Sequence, residues 1–196
     1  MKPFLSAIAL AFVVLALAGC DRTPPAPSPP PTASPTASEK AAAIYDTVAA
    51  RAAGFATGNM AARRVVYVLF DTQCPHCGRL WRESKPLLGQ IKMVWAPVRL
   101  LGDLSATQGA AILAAKDPVA EMEANERSLD AKPGGIVPPP DLPADALARV
   151  AANTKLMHEL GVASVPFVAY KHPVSGDQLS FEGALTTADL KKTFGL

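Results

Sequence analysis

The stretch that most constrains this chain runs from Val65 to Trp81, Val-Val-Tyr-Val-Leu-Phe-Asp-Thr-Gln-Cys-Pro-His-Cys-Gly-Arg-Leu-Trp. A β-branched and aromatic run stops at Asp71, a short turn follows, and Cys74-Pro75-His76-Cys77 opens a segment with helical residues at helical spacing. The pattern predicts a strand, a turn and a helix carrying a dithiol at its start. Unpaired backbone N–H groups and the positive end of the macrodipole favour a thiolate at a helix N-terminus. The Cys74 thiol is therefore expected to ionise more easily than a free one, and the thiolate is the reactive form. Pro75 suits the first helical turn, where its missing donor is not needed. Cys77, one turn later, is close enough to close a small ring with Cys74.

Other uses of a cysteine pair fit less well. A structural zinc site needs about four ligands, and beyond this pair the chain has only Cys20 and the histidines His76, His158 and His172, with no second metal-type pair. A purely structural disulfide between cysteines three apart closes too short a loop to stabilise much. Redox chemistry is the use this spacing serves.

Residues 1–19 read as an export segment. Lys2 supplies a positive start, Phe4 to Ala18 is an apolar stretch too short to span a membrane comfortably, and Leu17-Ala18-Gly19-Cys20 closes it. Small residues directly before a cysteine resemble the bacterial lipoprotein signal, which implies cleavage before Cys20 and attachment of lipid to it; a plain secretory signal or an uncleaved anchor is the alternative. With Cys20 alkylated, only Cys74 and Cys77 remain as thiols, as expected of a dithiol catalyst in an oxidising compartment. Asp21 resembles the signal that retains lipoproteins in the inner membrane of some Gram-negative bacteria. The formal charge of +2 on 196 residues gives no pointer to nucleic acid.

Thr23 to Ser38 is dominated by proline among Ala, Ser and Thr, a composition that cannot bury enough apolar surface to fold. Extended at about 3.1 Å per residue, such a tether holds a domain roughly 50 Å from a bilayer. Glu39 to Arg51 predicts a helix with Ser38 as N-cap and Gly54 just past its end, and residues 39–61 read as a linker helix ahead of a catalytic domain from Ala62 to Leu196. The active-site helix should end near Lys85, before Pro86. Ile91 to Val98 alternates as a strand. Ser105–Lys116, Val119–Leu129 and Ala144–Leu160 read as helices, Ser164–Tyr170 and Gln178–Glu182 as strands, and Thr186–Phe194 as a closing helix. Strand, redox helix, strand, helical block, strand, strand, helix is the order of an α/β thioredoxin-like core with a helical insertion.

Four separated segments carry a resemblance: Phe70-Asp71-Thr72-Gln73-Cys74-Pro75-His76-Cys77, Ala110-Ala111-Ile112-Leu113-Ala114-Ala115-Lys116-Asp117-Pro118, Lys155-Leu156-Met157-His158-Glu159-Leu160-Gly161, and Val165-Pro166. Together they closely resemble the catalytic domain of the periplasmic disulfide isomerases DsbC and DsbG, nearer to DsbG. Those isomerases carry an N-terminal dimerisation domain, whereas here only Glu39 to Ala61 lies between tether and core, so a monomer is expected. The Pro-His pair between the cysteines, and the valine before the second proline, instead resemble the oxidant DsbA.

In this family Cys74 would be the nucleophile and Cys77 the less exposed resolving thiol, working through a mixed disulfide. His76 is expected to place a donor or a positive charge near the Cys74 sulfur; the alternative is a solvated residue without influence. A more stable reduced form makes the disulfide a stronger oxidant. The resemblance implies a cis Val165–Pro166 bond opposite the dithiol, with the Val165 backbone available to an extended substrate; the residues alone favour an ordinary trans strand start. Asp71 either relays protons to Cys77 or caps the turn. Thr72 and Gln73 are candidates for substrate contact, and Trp81 is expected to pack on the sheet.

The resulting expectation is a membrane-tethered periplasmic thiol-disulfide oxidoreductase, needing no cofactor, that acts on exported proteins with thiols or disulfides. Run as an isomerase or reductase it would be kept reduced by a DsbD-like partner; run as a dithiol oxidase it would be reoxidised by a quinone-linked, DsbB-like partner. The body of the domain favours the reductive direction. A chaperone or metallochaperone is the alternative from another class: soft thiolates at Cys74 and Cys77 suit copper, but no methionine or histidine cluster accompanies them.

Overall fold

The computed structural model describes residues 43–132 and 134–196; the export segment, Cys20, the proline-rich stretch and the start of the expected N-terminal helix, Ser38 included, lie outside the described residues. The elements in chain order are α1 (Ile44–Arg51), β1 (Phe55–Gly58), β2 (Val65–Phe70), α2 (Pro75–Ser84), β3 (Lys92–Pro97), α3 (Asp103–Ala114), α4 (Pro118–Asp130), α5 (Ala144–Glu159), β4 (Phe167–Lys171), β5 (Gln178–Glu182) and α6 (Thr187–Phe194). The strands form one sheet in the order β1-β3-β2-β4-β5. Only β2 and β3 run parallel, and parallel neighbours need a crossover, which α2 supplies. No helix among the described residues is long and apolar enough to cross a membrane.

β2 is central because its residues, Val-Val-Tyr-Val-Leu-Phe, suit a pleated strand buried on both faces. The register sets Val68 opposite Trp95, and Trp95 opposite Phe55 on the other side, so all three share a face. There Trp81 of α2 meets Trp95 with ring centroids 5.0 Å apart, and Phe70 meets Trp95 at 5.7 Å. Both pairs are edge-to-face, the preferred arrangement of aromatic quadrupoles. Trp81 thus seats the active-site helix on the sheet, as its place in the sequence predicts.

On the opposite face lie α1 and α5. Tyr45 of α1 packs edge-on against Tyr67 of β2 at 5.2 Å. Fully buried Asn153 of α5 receives the Ala53 N–H at 2.8 Å and donates to the carbonyls of Ala53 at 2.8 Å and Pro97 at 2.9 Å. One side chain therefore ties the α1–β1 connection to the end of β3. At the C-terminus, α6 is capped by the Thr186 hydroxyl, which accepts from the Asp189 N–H, and is held to α2 where Thr187 donates to Glu83.

Several boundaries differ from the sequence expectation, most by one to three residues. Residues 43–61 do not form one linker helix, and the sheet of the catalytic body begins before Ala62. The helix stops at Arg51, and Phe55–Gly58 is an edge strand paired antiparallel with β3. Gly54 lies past that end, as expected, and an added Cβ there would sit 2.4 Å from the Trp95 carbonyl oxygen, so the residue is small to let two backbones approach. Phe-Ala-Thr-Gly carries one strand-favouring aromatic and no alternating pattern, so β1 is decided by its pairing with Trp95 rather than locally. β4 starts at Phe167, and Ser164 to Pro166 form the loop before it. Pro86 ends α2 as expected, in a 3-10 turn over Lys85–Leu87.

Candidate active site

Cys74 is the N-cap of α2, in extended conformation, and Pro75 is the first helical residue. The chain turns into the helix through hydrogen bonds from the Cys74 N–H to the Asp71 carbonyl at 3.1 Å and from the Cys77 N–H to the Cys74 carbonyl at 3.0 Å. Cys77 is wholly buried and Cys74 retains 5 % of its surface, so a partner can reach only the first sulfur. Both are free thiols. The Val165–Pro166 peptide is cis, and the Cys74 thiol donates to the Val165 carbonyl at 3.5 Å. The structure thus brings Cys74, Cys77, Val165 and Pro166 together, while Pro75 and His76 face solvent.

The two sulfurs are driven apart in acidity. The Cys77 thiol, donating to Cys74, is the chief reason the Cys74 pKa is pushed down to about 6; the backbone N–H groups of Cys77 and His76 add to this, and burial opposes it. His76 thus supplies a backbone N–H and, as the smallest of these contributions, its charge, both secondary to the Cys77 thiol. Burial pushes the Cys77 thiol well above the ordinary range, reinforced by its donation to Cys74 and by the Cys74 charge. One sulfur is therefore a nucleophile at neutral pH and its neighbour a proton-bearing reserve.

Asp71 is fully buried, and both its oxygens are engaged by backbone. Oδ1 accepts from Gln73 N–H at 2.8 Å; Oδ2 accepts from Leu100 N–H at 2.8 Å and Leu101 N–H at 2.9 Å. These are the contacts of a cap, and they fasten the loop after β3 to the active-site turn. That loop carries the exposed side chains of Leu100 and Leu101, and Leu104 in the first turn of α3 is exposed as well.

Thr72 is fully buried, not surface-facing as a substrate contact would require. Its hydroxyl donates to Gln108 Oε1 of α3 at 3.0 Å, and its carbonyl accepts from Asn125 of α4 at 3.0 Å. Gln73 joins the same group by donating to the Gly134 carbonyl at 2.8 Å. Gln108 and Asn125, neither anticipated from the sequence, link the helical insertion to the turn, and the adjacent Glu126, also unanticipated, lies over Gly78 of α2. A legible signal existed: on α4 the inward phase set by Met122 also contains Asn125 and Glu126. His158 is exposed, and His172 caps the turn after β4 by accepting from the Ser175 N–H at 3.1 Å. Among the described residues no group of three or more His, Cys, Asp or Glu side chains is placed to hold a metal ion.

No family model matches the chain. It is similar to the thiol:disulfide interchange protein DsbG of Pseudomonas aeruginosa, with 30% identity over 122 residues, 61% of this chain and 47% of the relative. To DsbG of Escherichia coli the identity is 30% over 111 residues, 54% of this chain and 43% of the relative. The chain thus spans less than half the length of these curated relatives. Among solved structures it resembles the catalytic domain of Proteus mirabilis ScsC, with a TM-score of 0.63 at 19% identity over 80% of this chain and 95% of that one. A periplasmic thioredoxin-like protein from Salmonella enterica gives a TM-score of 0.59 at 15% identity, over 72% and 88%.

The fold is thioredoxin-like. In that frame the insertion α3–α5 falls between β3 and β4.

Proposed function

We propose that this chain is a thiol-disulfide oxidoreductase of exported proteins, of the DsbG-like reducing or isomerising kind, tethered in the periplasm through a lipid on Cys20. The observation that carries the reading is the asymmetric dithiol: a Cys74 sulfur ionised at neutral pH beside a buried, neutral Cys77. The Cys74 thiolate attacks one sulfur of a substrate disulfide, forming a mixed disulfide and releasing the other substrate sulfur as a thiolate. Cys77 then loses its proton and attacks the Cys74 sulfur, which frees the reduced substrate and leaves the Cys74–Cys77 disulfide. A membrane reductant of the DsbD kind returns two electrons; in isomerisation the substrate's own second thiol resolves the mixed disulfide and no net oxidation occurs.

The substrate would lie along the Val165 backbone and over the exposed edge of Leu100, Leu101 and Leu104, which suits the apolar segments of incompletely folded chains. The identity to two DsbG proteins supports the reducing direction. A dithiol oxidase recharged by a DsbB-like partner is the second reading, favoured by the low Cys74 pKa, because a stabilised thiolate makes the disulfide more oxidising.

Acid quenching of cells followed by alkylation and gel shift separates the two: mostly reduced Cys74 and Cys77 are expected, and a mostly oxidised pair assigns the oxidase role. Both directions are overturned if a Cys74→Ser chain exchanges disulfides at the wild-type rate.

A further inference from the structure

Three acids on α4 face the active-site helix at spacings of three and four residues: Glu123, Glu126 and Asp130. The outer two have partners. Glu123 accepts from the Trp81 indole at 3.0 Å and pairs with Lys85 at 2.6 Å, and Asp130 pairs with Arg82 at 3.1 Å. The middle one is the most buried, with 4 % of its surface exposed, and its Oε1 has no hydrogen-bond partner among the described residues.

An unpartnered carboxyl oxygen in the interior is costly, and simple packing does not require one. Glu126 lies directly over Gly78, the residue after Cys77; a Cβ there would sit 1.9 Å from Glu126 Oε2, so glycine at 78 leaves room for this carboxyl. The charged groups acting on it are Arg82 and Cys74 from the α2 side and Asp130 from its own helix. Burial pushes its pKa up to about 7; Arg82 and the Asn125 amide oppose the rise, while Asp130 and the Cys74 sulfur add to it.

We propose that Glu126 is a positioning residue for the Cys74–Cys77 couple, a carboxyl closed over Gly78 that holds a proton while Cys74 is a thiolate and gives it up when Cys74 enters the disulfide. This rests on the dithiol being a redox couple. When two external thiols reduce the pair, they form a disulfide, release two protons and pass on two electrons, and the Cys74–Cys77 bond breaks. One proton goes to Cys77, the other goes to Glu126, and Cys74 remains a thiolate. Without a carboxylate at 126, the second proton is lost to solvent.

The difference is measurable with the full chain equilibrated against reduced and oxidised glutathione between pH 6 and 8. With Gln at 126, a proton is released per reduction, and the equilibrium constant should rise about tenfold per pH unit where Cys74 is ionised and glutathione is not. Wild type, taking up that proton, should show a shallower dependence, and Glu126→Gln should restore the full slope while moving the pH midpoint of Cys74 alkylation downward. A purely structural role would not move a slope. Redox-difference infrared spectra of the unmodified chain give a second readout: a protonated-carboxyl band should be gained on reduction and lost on oxidation.

Equal slopes in the two proteins, or no carboxyl band in wild type, overturn the proposal while leaving the redox reading intact. If wild-type Cys74 and Cys77 form no reversible disulfide with glutathione, the redox reading itself fails and the role of Glu126 with it.

Discussion

Removing the Cys77 thiol tests which group makes Cys74 reactive. With its pKa at about 6, Cys74 is about nine-tenths ionised at pH 7, whereas a free thiol near 8.5 is ionised to about 3 %. That is roughly a thirtyfold gain in thiolate, but nucleophilicity falls with pKa along a Brønsted slope of about 0.4–0.5, which cancels most of the gain in rate at neutral pH. The informative measurement is therefore the pH midpoint of iodoacetamide alkylation, or of thiolate ultraviolet absorbance, rather than a rate at one pH. Wild type should give a midpoint at about 6. Cys77→Ala removes the largest stabilising contribution, and its midpoint should move up toward the ordinary thiol range. Cys77→Ser keeps a hydroxyl donor and should move less, and His76→Ala should shift the midpoint less than Cys77→Ala does. A Cys77→Ala midpoint that stays at about 6 would refute the assignment to the neighbouring thiol and return the effect to the backbone N–H groups of the helix start.

Other consequences follow from the same geometry. Because the folded pKa of Cys74 is depressed, its contribution to the reduced protein is present above the unfolded thiol's pKa and lost as pH falls through about 6. The melting temperature of reduced relative to oxidised protein should accordingly rise from pH 5 to pH 8, as calorimetry would read; a flat difference contradicts the depressed pKa. Asp71→Ala leaves the N–H groups of Gln73, Leu100 and Leu101 without their acceptor and should lower stability by about 2–4 kcal/mol in urea titrations; unchanged stability with slowed exchange would instead point to a proton relay. Asn153→Ala removes three buried hydrogen bonds and should cost about 3 kcal/mol by the same assay. Cys20→Ser should shift the chain from the membrane to the soluble fraction of fractionated cells, and unaltered membrane recovery would argue against lipid on Cys20.

The strand-turn-dithiol-helix unit was legible because each part is locally encoded: β-branched residues in β2, a proline at the first position of α2, and helical spacing that places Cys77 one turn from Cys74. Helix α4 was legible too, since Asp117 caps it by accepting from Val119 and Ala120 N–H and Pro118 opens it. Less was legible where a residue's meaning depends on what lies across a gap. Thr72 reads as a turn residue beside a reactive cysteine, yet Gln108, in a helix that follows a different strand, turns it inward. Asp71 reads equally as relay or cap until Leu100 and Leu101 are seen to occupy it.

Local pattern was enough to place a reactive sulfur at the start of a helix fed by a strand, because propensity, capping and spacing act over a few residues. What governs that sulfur was set by packing between distant parts of the chain. Acidity depends on burial and on groups a few ångströms away, and here the Cys77 thiol that folding turns inward lowers it most while the burial imposed by the tertiary fold opposes it. Local pattern cannot specify that burial, because chain folding across the sheet is what imposes it.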